Sequence, residues 1–262
     1  MLKNSDFFAL NPVFTFRDYK ENFKESALST LRTQIRNYLE SGRIGAVGGG
    51  VYFTIPPNSD PNQYAPDRFL VASKLRGDAV IGYHSAFELL GYATQVFNTV
   101  YYVTSVPKRQ KSHKGISYQS VHAQKALKGR SEFGTEKVVR SGVKISVANK
   151  ERAFVDCLDS PEYSGGFEEF SKCVEALPFL NLDSVLEYLQ LLLKRNLFAK
   201  AGYVLEKYRN KFFFNQNWEH RFLSERLKFP SIAYLTSRRE AGRLVKKWNL
   251  IVPEKYLLQE VQ

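Results

Sequence analysis

Between residues 28 and 57 the chain changes from helical to strand periodicity across two glycine signals, and few folds accommodate that change. Leu28, Leu31, Ile35, Tyr38 and Leu39 fall within one arc at about 100° per residue. The opposite arc carries Ser29, Thr30, Thr33, Arg36 and Asn37, with Arg32 at its flank. Ser41-Gly42 is a helix stop, and residues 43–55 then read as two short strands around Gly48-Gly49-Gly50, ended by Pro56-Pro57. Upstream, Thr15-Phe-Arg-Asp18 is a capping-box-like opening of a short helix through Phe23. Helix, turn, helix, hairpin is the order of a winged helix-turn-helix. A Walker-type phosphate loop needs Gly-Lys-Ser/Thr leading into a helix, and a dinucleotide fingerprint also needs a helix after its glycines. Here Val51-Tyr-Phe-Thr-Ile55 follows, which is β-branched and aromatic.

The polar face of the second helix is short and cationic, which makes Ser29, Thr30, Arg32, Thr33 and Arg36 candidates for reading DNA and Arg43, just past the helix stop, a candidate phosphate contact. The first 60 residues are nevertheless almost neutral. The chain as a whole carries a net charge of +12, a surplus that favours a polyanionic partner, and residues 61–150 hold most of it, with 14 basic and 5 acidic residues. Its densest part is Lys108-Arg109-Gln-Lys111-Ser-His-Lys114, between two β-rich runs. Lys108, Arg109, Lys111 and Lys114 are therefore expected on a projecting loop, either contacting phosphate or simply solvated.

Residues 58–66, rich in Pro and Asn, read as a boundary, giving a winged-helix domain at 1–58 and a larger α+β domain at 59–262. The larger domain is expected to be sheet-rich over 59–148, with an antiparallel sheet, and helix-rich over 149–262. Helices are expected at 66–75 and 85–91, strands at 96–103, 116–121, 137–140 and 143–147. Further helices are expected at 149–161, 166–177, 184–194, 198–208, 218–228 and 237–248, with an extended piece at 229–235. No apolar run reaches the roughly 18 residues of a membrane span; 189–193 contains Gln190 and meets Lys194 and Arg195. With two cysteines and no leader-like segment in residues 1–18, a reducing, cytoplasmic setting is expected.

Few residues carry a catalytic or metal-binding signature. His84, His113, His122 and His220 are scattered, with no spacing that would clamp zinc, and His84 sits beside the capping box Ser85-Ala-Phe-Glu88. Cys157 and Cys173 lie among apolar neighbours, as small core residues do. No nucleophile elbow occurs, and the acidic pairs Asp156 with Asp159 and Glu168 with Glu169 have ordinary helical spacing. The expectation is a protein that is not an enzyme, with no cofactor or metal.

Taken in order, several short motifs resemble the AbiEi antitoxin family, the transcriptional-regulator half of abortive-infection type IV toxin–antitoxin pairs. They are Phe14-Thr15, Leu39-Glu-Ser-Gly42-Arg-Ile44 and Gly49-Gly-Val51-Tyr52 in the first part. In the second part they are Tyr83-His-Ser85-Ala-Phe-Glu-Leu-Leu-Gly91, Gly142-Val-Lys-Ile-Ser-Val147 and Glu151-Arg-Ala-Phe-Val-Asp156-Cys-Leu-Asp159. Wings of that family usually carry a basic residue directly before Gly-x-Tyr, a place held here by the residues from Val47 to Gly50. The resemblance implies a repressor that binds double-stranded DNA at repeats in its own promoter. It also implies a larger C-terminal domain that counteracts a nucleotidyltransferase toxin, without implying direct binding of that toxin.

The expected function is thus a DNA-binding transcriptional repressor and antitoxin. Two rivals come from other classes. One is a nucleic-acid-modifying enzyme that holds substrate on the basic middle segment, which requires acidic side chains converging in a basic cleft. The other is a protein-interaction module whose winged helix contacts no nucleic acid, an option left open by the weak charge of residues 1–60.

Overall fold

The computed structural model describes residues 4–236 and 240–257. Its helices and three sheets make a mixed α+β chain. The chain divides into two compact units, one of Met1–Ile81, Phe97–Ala123 and Glu136–Val147, the other of Gly82–Val96, Gln124–Thr135 and Ala148–Gln262. The N-terminal 58 residues and most strands of the 59–148 stretch therefore share the first unit.

That unit begins with α1 (Asn4–Leu10), β1 (Val13–Thr15), α2 (Phe16–Asn22), α3 (Leu28–Glu40), β2 (Ile44–Gly48) and β3 (Val51–Thr54). β3 pairs antiparallel with β1 on one side and β2 on the other. α2 opens with a complete capping box in which Asp18 takes the usual Glu role: the Thr15 hydroxyl accepts from the Asp18 amide at 3.1 Å and the Asp18 carboxylate accepts from the Thr15 amide at 2.8 Å. α1 has no counterpart in the sequence expectations. Two adjacent aromatics carry no periodicity, yet Phe7 and Phe8 are 2% and 3% exposed and close a core with Phe14, Tyr19, Phe23, Leu31, Ile35 and Ile44. The Phe7 ring meets Phe14 and Tyr19 edge-on, at centroid distances of 5.2 and 5.3 Å. Each such buried side chain stabilises the cluster by about 1.5–3 kcal/mol.

The packing stripe of α3 is narrower than its periodicity suggests. Leu31 and Ile35 are buried, whereas Leu28 and Leu39, expected on the same face, are 44% and 36% exposed. Gly49 and Gly50, at φ 69° and 81°, form the β2–β3 turn. Two successive residues at positive φ suit the right-handed twist of a tight hairpin and explain the glycines there.

The unit continues with α4 (Arg68–Lys74), capped by Asp67, which accepts from the amides of Phe69 and Leu70 at 2.9 and 3.0 Å. β4 (Val80–Ile81) then enters a six-stranded sheet with β5 (Thr99–Thr104), β6 (Lys111–His113), β7 (Ile116–His122), β8 (Thr135–Arg140) and β9 (Val143–Ala148), in the order β6-β7-β5-β4-β9-β8. This sheet is mixed and not antiparallel throughout: β5 runs parallel to β7 and β4 parallel to β9. Period-2 alternation determines which face a side chain takes and says nothing of the direction of the neighbouring strand. Direction is decided by β6, which turns the chain so that β7 re-enters beside β5 in the same sense.

The second unit contains α5 (Tyr83–Leu89), α6 (Lys150–Asp159), α7 (Phe167–Ala176), α8 (Leu182–Leu192), α9 (Leu197–Lys207) and α10 (Gln216–Leu227). Asn149, Asn181 and Asn215 cap α6, α8 and α10 by accepting from the amides of Arg152, Ser184 and Trp218 at 2.9–3.1 Å. The expected helix at 237–248 is not what forms there. Ser237 lies outside the described residues, and Arg243–Val245 is a strand, β11, antiparallel to β12 (Leu250–Val252), which also pairs with β10 (Ala233–Tyr234). Tertiary contacts override local propensity at this point. Gly242 lies against the Val252 backbone where a β-carbon would not fit, and Trp248 is fully buried over Gly202.

Candidate nucleic-acid interface

Burial of Leu31 and Ile35 orients α3, and as a result Ser29, Thr30, Arg32, Thr33 and Arg36 are all exposed. The helix presents two guanidinium groups and three hydroxyls, which are donors and acceptors suited to base edges and phosphate. Arg43 is also exposed, and its guanidinium lies over the rings of Phe8 and Tyr38 at 5.4 and 5.5 Å. Stacking of this kind holds the cation in place while leaving its edge available for hydrogen bonding.

The basic run does not form one projecting loop. Lys108 and Arg109 are exposed, and the backbone at Lys108 is tied to Ser120 by two hydrogen bonds of 2.9 and 2.7 Å. Lys111 opens β6, an edge strand, because residues 111–113 pair with 116–118 of β7. Short, lysine-bearing edge strands resist further pairing. The Lys114 ammonium donates to the carbonyls of Pro61, Asn62 and Tyr64 at 3.2, 2.8 and 2.6 Å, so it clasps the 61–64 segment to the sheet. Its three protons are engaged, whereas the side chains of Lys108, Arg109 and Lys111 form no hydrogen bond or ion pair among the described residues.

Lys111 occupies a position that sequence spacing could not reveal. A β-carbon at Gly49 would come within 2.8 Å of Lys111 Cε and 3.1 Å of its Nζ. The lysine stem thus lies across the glycine turn and brings a cation from β6 to the tip of a hairpin that has none of its own. The positive φ of 69° favours glycine at position 49, and a β-carbon there would also displace the end of the Lys111 side chain.

Beside this turn is a cleft of about 610 Å³ between the start of α2, Gly49-Gly50, the end of α4 and β9. Arg17, Lys74, Arg76 and Lys144 line it together with Asp18 and Glu21. Both carboxylates are already paired: Asp18 with Lys74 at 2.9 Å and Glu21 with Arg17 at 2.7 Å. Burial raises the Asp18 carboxyl, but Lys74 and the Thr15 amide and hydroxyl outweigh it and hold the group below its usual value. Arg76 and Lys144 form no ion pair among the described residues, and Arg76 Nε is buried without a hydrogen-bond partner. None of the exposed α3 residues lines this cleft. No charge run marks Arg17, Arg76 or Lys144 in the sequence, although alternation along 143–146 does place Lys144 on an outward face.

The second unit gathers buried polar groups of a different kind. Glu151, Arg152 and Asp156, from the segment that carries the family resemblance, are interior residues of α6. Arg152 donates to the Phe133 carbonyl at 2.9 Å and to Asp156 at 3.4 Å, and the Tyr188 hydroxyl donates to Asp156 at 2.7 Å. Burial drives the Asp156 carboxyl up, against the opposing pull of Arg152 and Tyr188. His84, Glu169 and Cys173 are also buried together, with ligand-type atoms within 4.8 Å of one another. Glu169 Oε1 lies 3.3 Å from His84 Nε2 and accepts from Cys173 at 3.7 Å, and the Thr94 hydroxyl sits 3.1 Å from both carboxylate oxygens. The carboxylate is thus satisfied by its own neighbours, and the cluster reads as an interior hydrogen-bond network. Burial pushes the Cys173 thiol up to about 12 and the Cys157 thiol well above its usual value, which favours the protonated form of both.

No helix among the described residues is long and apolar enough to cross a membrane. No protein-family model matches the chain, and no curated protein matches it. Among solved structures, the chain is similar in fold to the crystal structure of the RV2827C protein from Mycobacterium tuberculosis, with a TM-score of 0.57 at 16% sequence identity, over 94% of this chain and 89% of that one.

Proposed function

We propose that this chain is a cytoplasmic DNA-binding transcriptional repressor in which residues 4–54 act as a winged helix, α3 enters the major groove and the β2–β3 hairpin is the wing. The observation that carries the reading is the orientation of α3: its only buried residues, Leu31 and Ile35, point one way, and Ser29, Thr30, Arg32, Thr33 and Arg36 are exposed. The element order of helix, strand, helix, helix and two-stranded hairpin supports it. So does Lys111, which provides at the glycine turn the positive charge that the turn lacks. On this reading Arg36 and Arg32 read or clamp the groove edge, and Arg43, Lys108, Arg109 and Lys111 position the backbone. Lys114 acts as a structural clasp.

With the motif resemblance added, the same proposal makes the protein the antitoxin of a type IV system. Its second unit would then counteract a nucleotidyltransferase toxin, with no direct contact required. Gel-shift titration against the DNA upstream of the protein's own gene tests the DNA-binding half: a retarded band that survives excess random duplex supports it, and equal competition by random duplex refutes it. The protein-interaction reading draws on a specific observation, the exposure of Leu28 and Leu39 on α3, and an unshifted DNA band would favour it.

A further inference from the structure

The cleft beside the glycine turn has a feature that neither folding nor the groove-reading helix explains. A buried donor without an acceptor destabilises a protein, so native structures almost always supply one from the chain, from water or from a ligand. Arg76 Nε is such a donor, in a side chain that lines the cleft. With Asp18 and Glu21 engaged by Lys74 and Arg17, the charges left over in the cleft are Arg76 and Lys144, both cationic. Lys111 adds a third nearby, because its ammonium lies against Gly49, which also lines the cleft. A planar guanidinium and an ammonium lining a cleft of about 610 Å³, with a second ammonium against the glycine turn at its edge, make a setting for a tetrahedral oxyanion larger than water.

We infer that this cleft binds a phosphate group, held by the Arg76 fork and by Lys144. The phosphate is either a backbone diester of bound DNA, in which case the inference rests on the function proposed above, or the phosphoryl group of a free ligand. Arg76 and Lys144 serve as binding residues in both cases.

The test uses the full chain with Arg76→Gln and Lys144→Gln variants, and circular dichroism confirms that each is folded. Lys144 is exposed and forms no ion pair among the described residues, so its variant reports on the site even if Arg76→Gln proves unstable. In the first arm, inorganic phosphate replaces chloride at constant ionic strength and the melting temperature is followed. Phosphate stabilises many proteins non-specifically, so the informative quantity is the difference between native chain and variants. In the second arm, affinity for a 20-base-pair duplex is measured across salt concentrations, where each lost phosphate contact flattens the log–log slope by about 0.9.

A phosphate-dependent rise in melting temperature that is lost in the variants supports the site and assigns a free phosphoryl ligand. A flattened slope in the variants supports it and assigns the DNA backbone. Equal phosphate shifts together with unchanged slopes overturn the inference while leaving the DNA-binding reading intact. If the native chain binds no duplex yet shows a variant-sensitive phosphate shift, the site stands and the DNA-binding reading falls.

Discussion

Replacing Asp18 by Asn should lower stability and raise affinity for anions at the same time, because this carboxylate has one partner in the fold and another in the cleft. Its oxygen accepts from the Thr15 amide and from Lys74, with side-chain exposures of 24% for Lys74 and 29% for Asp18. An asparagine oxygen can still accept from Thr15, so most of the cap survives, and the losses are those of charge. Removing a negative charge from the first turn of a helix costs about 0.3–1 kcal/mol, and a partly exposed ion pair is worth about 0.2–1 kcal/mol. Together they predict a loss of roughly 0.5–2 kcal/mol, read as a fall of about 1–8 °C in melting temperature at 2–4 °C per kcal/mol. Asp18→Ala should lose about 1 kcal/mol more, because it removes the cap acceptor as well.

The sign of the pH dependence follows from a carboxyl held below its usual value. The extra stability is present above the unfolded-state pKa near 3.9 and disappears as pH falls through the lower folded-state value, so native and variant curves should converge in acid. Meanwhile Lys74, released into the cleft, should steepen the salt dependence of duplex binding by up to about 0.9. Chemical denaturation at pH 7 and pH 3 with a parallel binding titration measures all of this. A variant as stable as the native chain at pH 7, or one that binds DNA more weakly without unfolding, would refute the reasoning.

Arg36→Ala should reduce discrimination between operator and random duplex by about 1–3 kcal/mol, the worth of a bidentate base contact, with little change in melting temperature because the residue is exposed; an unchanged ratio in competition gel shifts would remove α3 from the groove. Gly202→Ala should destabilise the protein despite a helix-propensity gain of about 1 kcal/mol. A β-carbon there overlaps the Trp248 indole, whose Nε1 donates to Glu206, and overpacking costs about 1–3 kcal/mol; a higher denaturation midpoint would contradict this. A fragment of residues 59–262 should melt less cooperatively than the whole chain, since Asp18, Phe53 and Gly49 contact Lys74, His113 and Lys111 within one unit; calorimetry showing an unchanged, single sharp transition would disprove it.

Local signals alone were enough to locate α2, α3, α4 and α6, because each begins at a side chain that accepts hydrogen bonds from its own first turn or follows a regular apolar stripe, and both lie within a few residues in the chain. The exposed polar face of α3 was legible for the same reason: once Leu31 and Ile35 pack inward, the positions of Ser29, Thr30 and Arg36 follow from 100° per residue. Long-range contacts decided the rest. α1 exists because Phe7 and Phe8 find Phe14 and Tyr19, and β11 exists because Gly242 and Trp248 fit against Val252 and Gly202. The mixed sheet follows from how β6 returns the chain, which alternation does not encode. The lysines at 111 and 114 are equivalent in a charge count, yet tertiary structure sends one across the glycine turn and engages the other with three carbonyls. The charge of these two lysines is readable from sequence; what stands within 4 Å of each is determined by residues 50 or more positions away.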